Sequence, residues 1–331
     1  MMAKYVVIGA NSFSGQDFVD LLLDDSARQV TGISRSPERS RLFLRYKSRS
    51  ELSNYRYIQL DLNKQMEQLL DLLDEERAEY VINFAAQSEV APSWEHPEHW
   101  FQTNCVALAR LVNHLRKRDY LKRYLHVSSP EAYGTSLGVV QEDAPLNPST
   151  PYAVSKAAAD FFLRTMHRQF GFPVVTVRAT NVYGPCQQPH KIIPRSVIYL
   201  KLGRKIELHG GGAAVKSYIH IRDVSLGELA VLERGQQGQI YHLSPDRGVS
   251  VRHVVWMLAT KMGHRFEDVT MAVAERPGQD AAYVIDSSKT RRELAWSPTV
   301  PLEKGLPEVI AWVQQYWDDI KQQPLEYQHK P

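Results

Sequence analysis

Cysteine is nearly missing: Cys105 and Cys186 are the only two in 331 residues. Two thiols cannot build a disulfide framework, and neither has a second cysteine at metal-ligand spacing, so a reducing cytoplasm is the expected compartment. An excess of charge is missing too. With 40 Lys and Arg against 37 Asp and Glu, the net charge of +3 gives little drive toward nucleic acid or an anionic membrane, and neither is expected as a partner. Long hydrophobic runs are absent. The apolar stretches at 5–10 and 81–86 are far too short to span a bilayer, and the first strand pattern begins almost at residue 4, where a secretory leader would lie. There are no internal repeats or low-complexity tracts. A chain that is 43% hydrophobic and 23% charged can bury a large core as an ordinary soluble protein. The partner has to be inferred from sites.

What is present is an alternation of short β-branched runs with longer helical patterns. Strands are expected at 4–9, 29–34, 57–60, 80–84, 123–128 and 174–178, with helices at 15–23, 64–75, 98–118 and 151–170, the last stopped by Gly171. That order predicts an α/β, Rossmann-type, doubly wound parallel sheet over residues 1–184. After Gly184 and Pro185 the pattern becomes mixed, with helices at 193–202, 223–233, 251–262 and 307–316. Residues 185–321 are read as mainly a smaller mixed α/β substrate-binding lobe, and 322–331 as a loose tail.

The segment Gly9-Ala10-Asn11-Ser12-Phe13-Ser14-Gly15 lies where an apolar strand turns into a helix. Backbone N–H groups and the helix dipole at such a turn can hold a pyrophosphate. Its middle position is Ser12 rather than a third glycine, and a plain strand-to-helix turn would also use glycine. The second strand ends in Ser34-Arg35, not in an acid that would bind the ribose hydroxyls. Arg35, in a basic stretch running to Arg49, is suited to a 2′-phosphate, which favours NADP over NAD. Asp61 is placed to touch the adenine edge, although an acid at a strand end is often a cap.

Tyr152 and Lys156 stand one turn apart on one helix face. A neighbouring ammonium, helped by a positive nicotinamide ring, would favour the phenolate and let it accept a hydroxyl proton as hydride leaves the same carbon. His96 and His99 lie on an apparently exposed loop without a third ligand at motif spacing, so no metal site is expected. Gly210-Gly211-Gly212 lacks a following Lys-Ser/Thr and reads as a turn between strands.

Several separated segments together resemble the extended short-chain dehydrogenase/reductase family, and within it the nucleotide-sugar 4,6-dehydratases. They are 9–15, 83–88, Thr103-Asn104, Ser128-Ser129-Pro130-Glu131-Ala132-Tyr133-Gly134, 152–156, 178–185, 191–194 and 276–280. The resemblance implies a tightly held, recycled nicotinamide cofactor contacted by Gly9, Asn11, Ser12, Phe13, Ser14, Gly15, Arg35, Asp61, Leu62, Ala85, Ala86, Gln87, Asn104, Tyr152 and Lys156. It implies catalysis by Ser129, Glu131, Tyr152 and Lys156: oxidation at C4, removal of the C5 proton by Glu131 with loss of the C6 hydroxyl, and hydride return to C6. A nucleotide-diphosphate sugar would be held by Ser88, Glu89, Ser129, Glu131, Asn181, Lys191, Lys216 and Arg276. Pro130 stands where some relatives have a general acid, and it cannot donate a proton. A homodimer through a four-helix contact is implied as well. The alternatives are a 4-epimerase of the same family, which tends to have a small or hydroxylated residue in place of Glu131, a decarboxylase, which shares the acid there, or a catalytically silent dinucleotide-binding regulator.

Overall fold

The computed structural model describes residues 2–135, 138–274 and 282–330. In chain order its strands are β1 (Ala3–Ile8), β2 (Arg28–Ser34), β3 (Tyr55–Gln59), β4 (Tyr80–Asn83), β5 (Arg123–Val127), β6 (Val139–Val140), β7 (Val174–Ala179), β8 (Asn181–Tyr183), β9 (Ile206–His209), β10 (Val215–Lys216), β11 (Tyr218–His220), β12 (Ile240–Leu243), β13 (Val249–Ser250), β14 (Thr270–Val273) and β15 (Ala282–Ile285). The main sheet has seven strands in the order β12-β7-β5-β4-β1-β2-β3, and every pairing in it is parallel. This is the doubly wound sheet expected from the alternation of patterns. The order reverses beside β1, and the crevice at that switch point is where open α/β sheets take ligands.

The helices that frame the site are α1 (Phe13–Leu22), α2 (Met66–Glu76), α3 (Pro97–Phe101), α4 (Leu108–Leu115), α5 (Pro151–Phe170), α6 (Ile192–Lys201), α7 (Ile221–Arg234) and α8 (Val251–Lys261). The helix expected at 98–118 is α3 and α4 joined by a π-helical stretch, Gln102–Ala107. α5 has the expected bounds: Thr150 accepts a bond from the Ala153 N–H, Pro151 fits the first turn, and Gly171 ends the helix at φ +64°. The last long helix runs Leu302–Gln315, so Pro307 sits inside it rather than at its start.

Two apolar cores cover the two sheet faces. Phe18, Val19, Leu22 and Val231 pack with Val7, Val30, Val175 and Val177 on one. Leu69, Leu73, Leu111, Leu115 and Leu163 pack with Val6, Val81 and Tyr124 on the other. A third core packs Val197, Val254, Leu258, Val309 and Trp312 from beyond residue 184 with Leu42 and Phe43. The chain beyond residue 184 also returns to the main sheet, where β12 pairs with β7 and completes one edge. Residues of the expected loose tail are tied down: Lys330 accepts hydrogen bonds through its backbone carbonyl, and His329 stacks on Trp100. No helix among the described residues is long and apolar enough to cross a membrane.

Candidate active site

The β1–α1 turn is shaped by two close approaches. Gly9 lies at φ +92°, and a Cβ there would come within 2.7 Å of the Ala85 backbone nitrogen. A Cβ on Gly15 would collide with the Gly9 carbonyl oxygen. Both positions therefore need glycine. The third does not, because Ser12 caps α1, its Oγ accepting a bond from the Gly15 N–H at 3.0 Å. Ser12, Phe13 and Ser14 open onto a cavity of about 950 Å³, a cradle with a helix N-terminus at its floor that fits the pyrophosphate of a dinucleotide.

The neighbouring residues hold this cradle in shape. Asn11 donates its backbone N–H to Ser34 Oγ and its side-chain amide to Ser36, Pro37 and the Tyr57 hydroxyl, which ties the loop after β2 to the turn. The Asp61 carboxylate accepts from the Asn63 N–H at 2.8 Å, the local cap an acid makes at a strand end. Leu62 is buried in the core beneath it. Ala85 donates its N–H to the Asn83 side chain, and Ala86 lines the cavity. Asn104 is wholly engaged, accepting from the Gln87 N–H and donating to the Gln87 carbonyl and Ser155 Oγ. It fixes the loop after β4 against α5. The guanidinium of Arg35 and the side-chain amide of Gln87 both donate to the Lys330 carbonyl, at 3.2 and 2.7 Å.

Ser88, Glu89, Ser129, Glu131, Tyr152, Lys156, Asn181, Lys191 and Lys216 all line the same cavity. Folding thus brings together segments spread from the end of β4 to β10. Arg276 lies outside the described residues. Ser129 caps the short turn Pro130–Tyr133, its Oγ accepting from the Glu131 N–H, and it also bonds the Tyr152 phenol. Pro130 suits the first position of that turn, where its missing N–H costs nothing.

Burial dominates the electrostatics of the phenol and the ammonium. Lys156 donates its Nζ to the Val127 carbonyl at 2.6 Å. Burial and the adjacent Glu131 carboxylate push the Tyr152 phenol well above its ordinary value, against the pull of the Ser129 hydrogen bond. The i,i+4 spacing puts Tyr152 and Lys156 on one face, but the ammonium reaches back to the end of β5. Burial lowers Lys156 itself to about 8, opposed by the charge of Asp160.

Asp160 is a residue the sequence reading missed. It lies one further turn along α5 and accepts bonds from Ser128 Oγ and the Arg178 guanidinium, both at 2.7 Å. Arg178 is only 1% exposed, so this ion pair sits in the low-dielectric interior. The four-residue step from Tyr152 to Lys156 to Asp160 was the signal available. On the opposite wall Glu89 pairs with Lys191 at 2.5 Å and faces His190 at 3.6 Å. Burial alone would raise the Glu89 carboxyl, yet these two neighbours outweigh it and hold it down at about 2. Nothing in the sequence around His190 marked it.

The chain is similar to several known proteins. The dTDP-glucose 4,6-dehydratase of Streptomyces niveus is 30% identical over 329 residues, covering 96% of each chain. The human dTDP-D-glucose 4,6-dehydratase is 32% identical over 279 residues, covering 82% of this chain and 79% of its own. Among solved structures, the dTDP-glucose 4,6-dehydratase of Streptomyces venezuelae with NAD and TYD bound superposes with a TM-score of 0.86 at 29% identity, covering 94% of this chain and 97% of that one. A UDP-glucuronic acid 4-epimerase from Bacillus cereus, in complex with UDP-glucuronic acid and NAD, reaches 0.85 at 25% identity and covers 94% and 99%. The model of the GDP-mannose 4,6 dehydratase family matches residues 6–309, and the chain belongs to that family.

Proposed function

We propose that the protein is a nucleotide-diphosphate-sugar 4,6-dehydratase. The observation that carries this reading is the carboxylate of Glu131 in the cavity that also holds Ser129, Tyr152 and Lys156, close enough for its charge to act on the Tyr152 phenol. An epimerase needs the hydroxyl and phenol but has no use for a base at C5.

The nicotinamide ring, when bound, would take hydride from C4 and give it back at C6, and its positive charge would favour the Tyr152 phenolate. Tyr152 accepts the proton of the C4 hydroxyl while Ser129 holds that oxygen. The resulting 4-ketone acidifies the C5–H, and Glu131 takes that proton. The C6–O bond then breaks. Because Pro130 has no proton to give, Glu131 passes its captured proton to the departing hydroxyl, which leaves as water. After hydride returns to C6, a solvent proton completes C5. Asn181, Lys191, Lys216 and Arg276 are assigned to the diphosphate, with Ser88 and Glu89 facing the sugar.

The solved relatives described above contain NAD, and Arg35 is turned to the Lys330 carbonyl. The cofactor is therefore read as NAD. The expected preference for NADP has only Arg35 and its basic neighbours in its favour. Mass spectrometry of the nucleotide released on denaturation distinguishes the two. The apolar side chains exposed on α3, α5 and the π-helical stretch, Phe101, Val106, Val154 and Phe161, support the homodimer. We also keep the cytoplasm as its compartment, on its two free cysteines.

The test is incubation of the purified protein, without added cofactor, with a panel of nucleotide-diphosphate hexoses. The expected product has lost one water. An isomer, loss of carbon dioxide from a uronic acid, or no turnover would replace the reading by epimerase, decarboxylase or silent regulator respectively.

A further inference from the structure

Three imidazoles from two distant parts of the chain meet beside the cavity. His96 and His99 flank the start of α3, and His329 arrives from the C-terminal strap, 230 positions from His99. Their rings lie nearly parallel, with centroids 5.2, 5.4 and 5.1 Å apart. His99 Nδ1 and His329 Nε2 approach to 2.8 Å. Glu98 adds a carboxylate, 3.6 Å from His99 Nε2 and 3.9 Å from His96 Nδ1. One donor atom from each of His96, Glu98 and His99 lies within 4.8 Å of the others.

The cluster has a fixed floor. Trp100 is fully buried, and its ring stacks on His329 at 5.1 Å and 13°. The Lys330 carbonyl, held by Arg35 and Gln87, fixes the backbone next to His329. His329 is thereby presented from both sides. The donor set is three borderline nitrogens and one oxygen, which suits zinc and its neighbours in the first transition row and not calcium or magnesium. Bonds of about 2.0–2.1 Å in a tetrahedron place donor atoms roughly 3.3 Å apart. His329 faces Nδ1 of His99 whereas Glu98 faces Nε2 of the same ring, so the ion would sit on the Nδ1 side, with the His99–His329 contact opened and the exposed His96 and Glu98 side chains swung round to that side.

We propose that His96, His99 and His329, with the carboxylate of Glu98, form a binding site for a divalent transition ion of the zinc class that ties the C-terminal strap to the start of α3. The ion closes a loop of more than two hundred residues and holds Tyr327 and His329 along the cavity wall they already line. The sequence reading dismissed a metal here for want of a third ligand. His329 is that ligand, and only the folded chain brings it in.

The test uses the untagged full-length protein, stripped with a chelator and titrated with Co²⁺ by visible absorption and with Zn²⁺ by calorimetry. A single ion per chain, with the strong d–d bands of a near-tetrahedral site, is expected. His329→Ala should weaken binding by about a hundredfold, a ligand's loss costing no less than that of an outer-shell partner, while His264→Ala, an exposed histidine elsewhere, should not change it. Circular dichroism checks that the ion-free variant folds, and the exposed His96→Gln serves in its place if it does not. Zn²⁺ should also protect the strap from limited proteolysis. Absence of stoichiometric binding, or binding indifferent to His329→Ala and His96→Gln, overturns the proposal. None of these readouts depends on the nucleotide-sugar reading.

Discussion

The corner proposed for catalysis and the C-terminal strap, residues 324–330, are built in opposite ways. In the corner, Tyr152, Lys156 and Asp160 follow one another at four-residue steps on α5, and Ser129 and Glu131 belong to one short turn. One helix and one turn impose most of that geometry, so spacing along the chain is nearly spacing in space. The strap takes its positions from α3, from Arg35 and from Gln87, all far away in sequence. The comparison teaches that chemistry confined to one element survives in the sequence as a pattern, whereas chemistry made by chain closure leaves none.

Substitutions can break this comparison or sharpen it. The largest effect is expected from Tyr152→Phe, which removes the acceptor of the C4 proton. Turnover should fall by about 10²–10⁴ with the fold unchanged, as read by steady-state kinetics and circular dichroism. Glu131→Gln should lower dehydration by a similar factor of about 10²–10⁴ but leave C4 oxidation intact. Adding substrate would then raise the absorbance of reduced nicotinamide without loss of water, and a variant silent in both assays would remove Glu131 from the C5 role.

Asp160→Asn tests the second layer of the corner. Lys156 is protonated below about 8, so activity that needs its ammonium falls as pH rises through that value. Asp160 supports the ammonium. Its neutralisation lowers the Lys156 pKa further and should shift the alkaline limb of the pH profile to lower pH. The melting temperature should drop as well, because buried Arg178 loses its carboxylate. An unmoved limb would assign Asp160 to structure alone.

Deleting residues 324–331 probes the other region. The pH profile of the corner should persist, while the cofactor is lost faster on gel filtration because Arg35, Gln87 and the cavity wall lose their covering segment. The smallest effect belongs to Ser12→Ala. It removes the α1 cap and should cost about 1 kcal/mol in denaturant unfolding, with the glycine variant costing only a few tenths.

Much of the site was readable before folding. Gly9 and Gly15 announced the turn, and α5 was delimited by Thr150, Pro151 and Gly171, whose backbone preferences act locally. The four-residue step placed Lys156 and Tyr152 on one face, but spacing does not tell where an ammonium finds its acceptor. Here that acceptor is Val127. Residues 322–331, rich in polar side chains, had no apolar period to place them, yet Tyr327 and His329 are half-buried. The chain beyond residue 184 shows the same limit, since nothing in its mixed pattern marked β12 as an edge of the main sheet.

By itself the sequence determined the parallel alternating architecture, the glycine turn after β1, and the phenol, lysine, hydroxyl and carboxylate that the fold gathers in one cavity. These depend on periodicity, backbone conformational preference and proximity along the chain. Only the tertiary structure decided that Glu89 meets Lys191, that Asp160 pairs with Arg178, and that His329 joins His96 and His99. Such contacts form when long loops close and burial excludes water, and the free energy that selects them belongs to the packed interior rather than to any local stretch of chain.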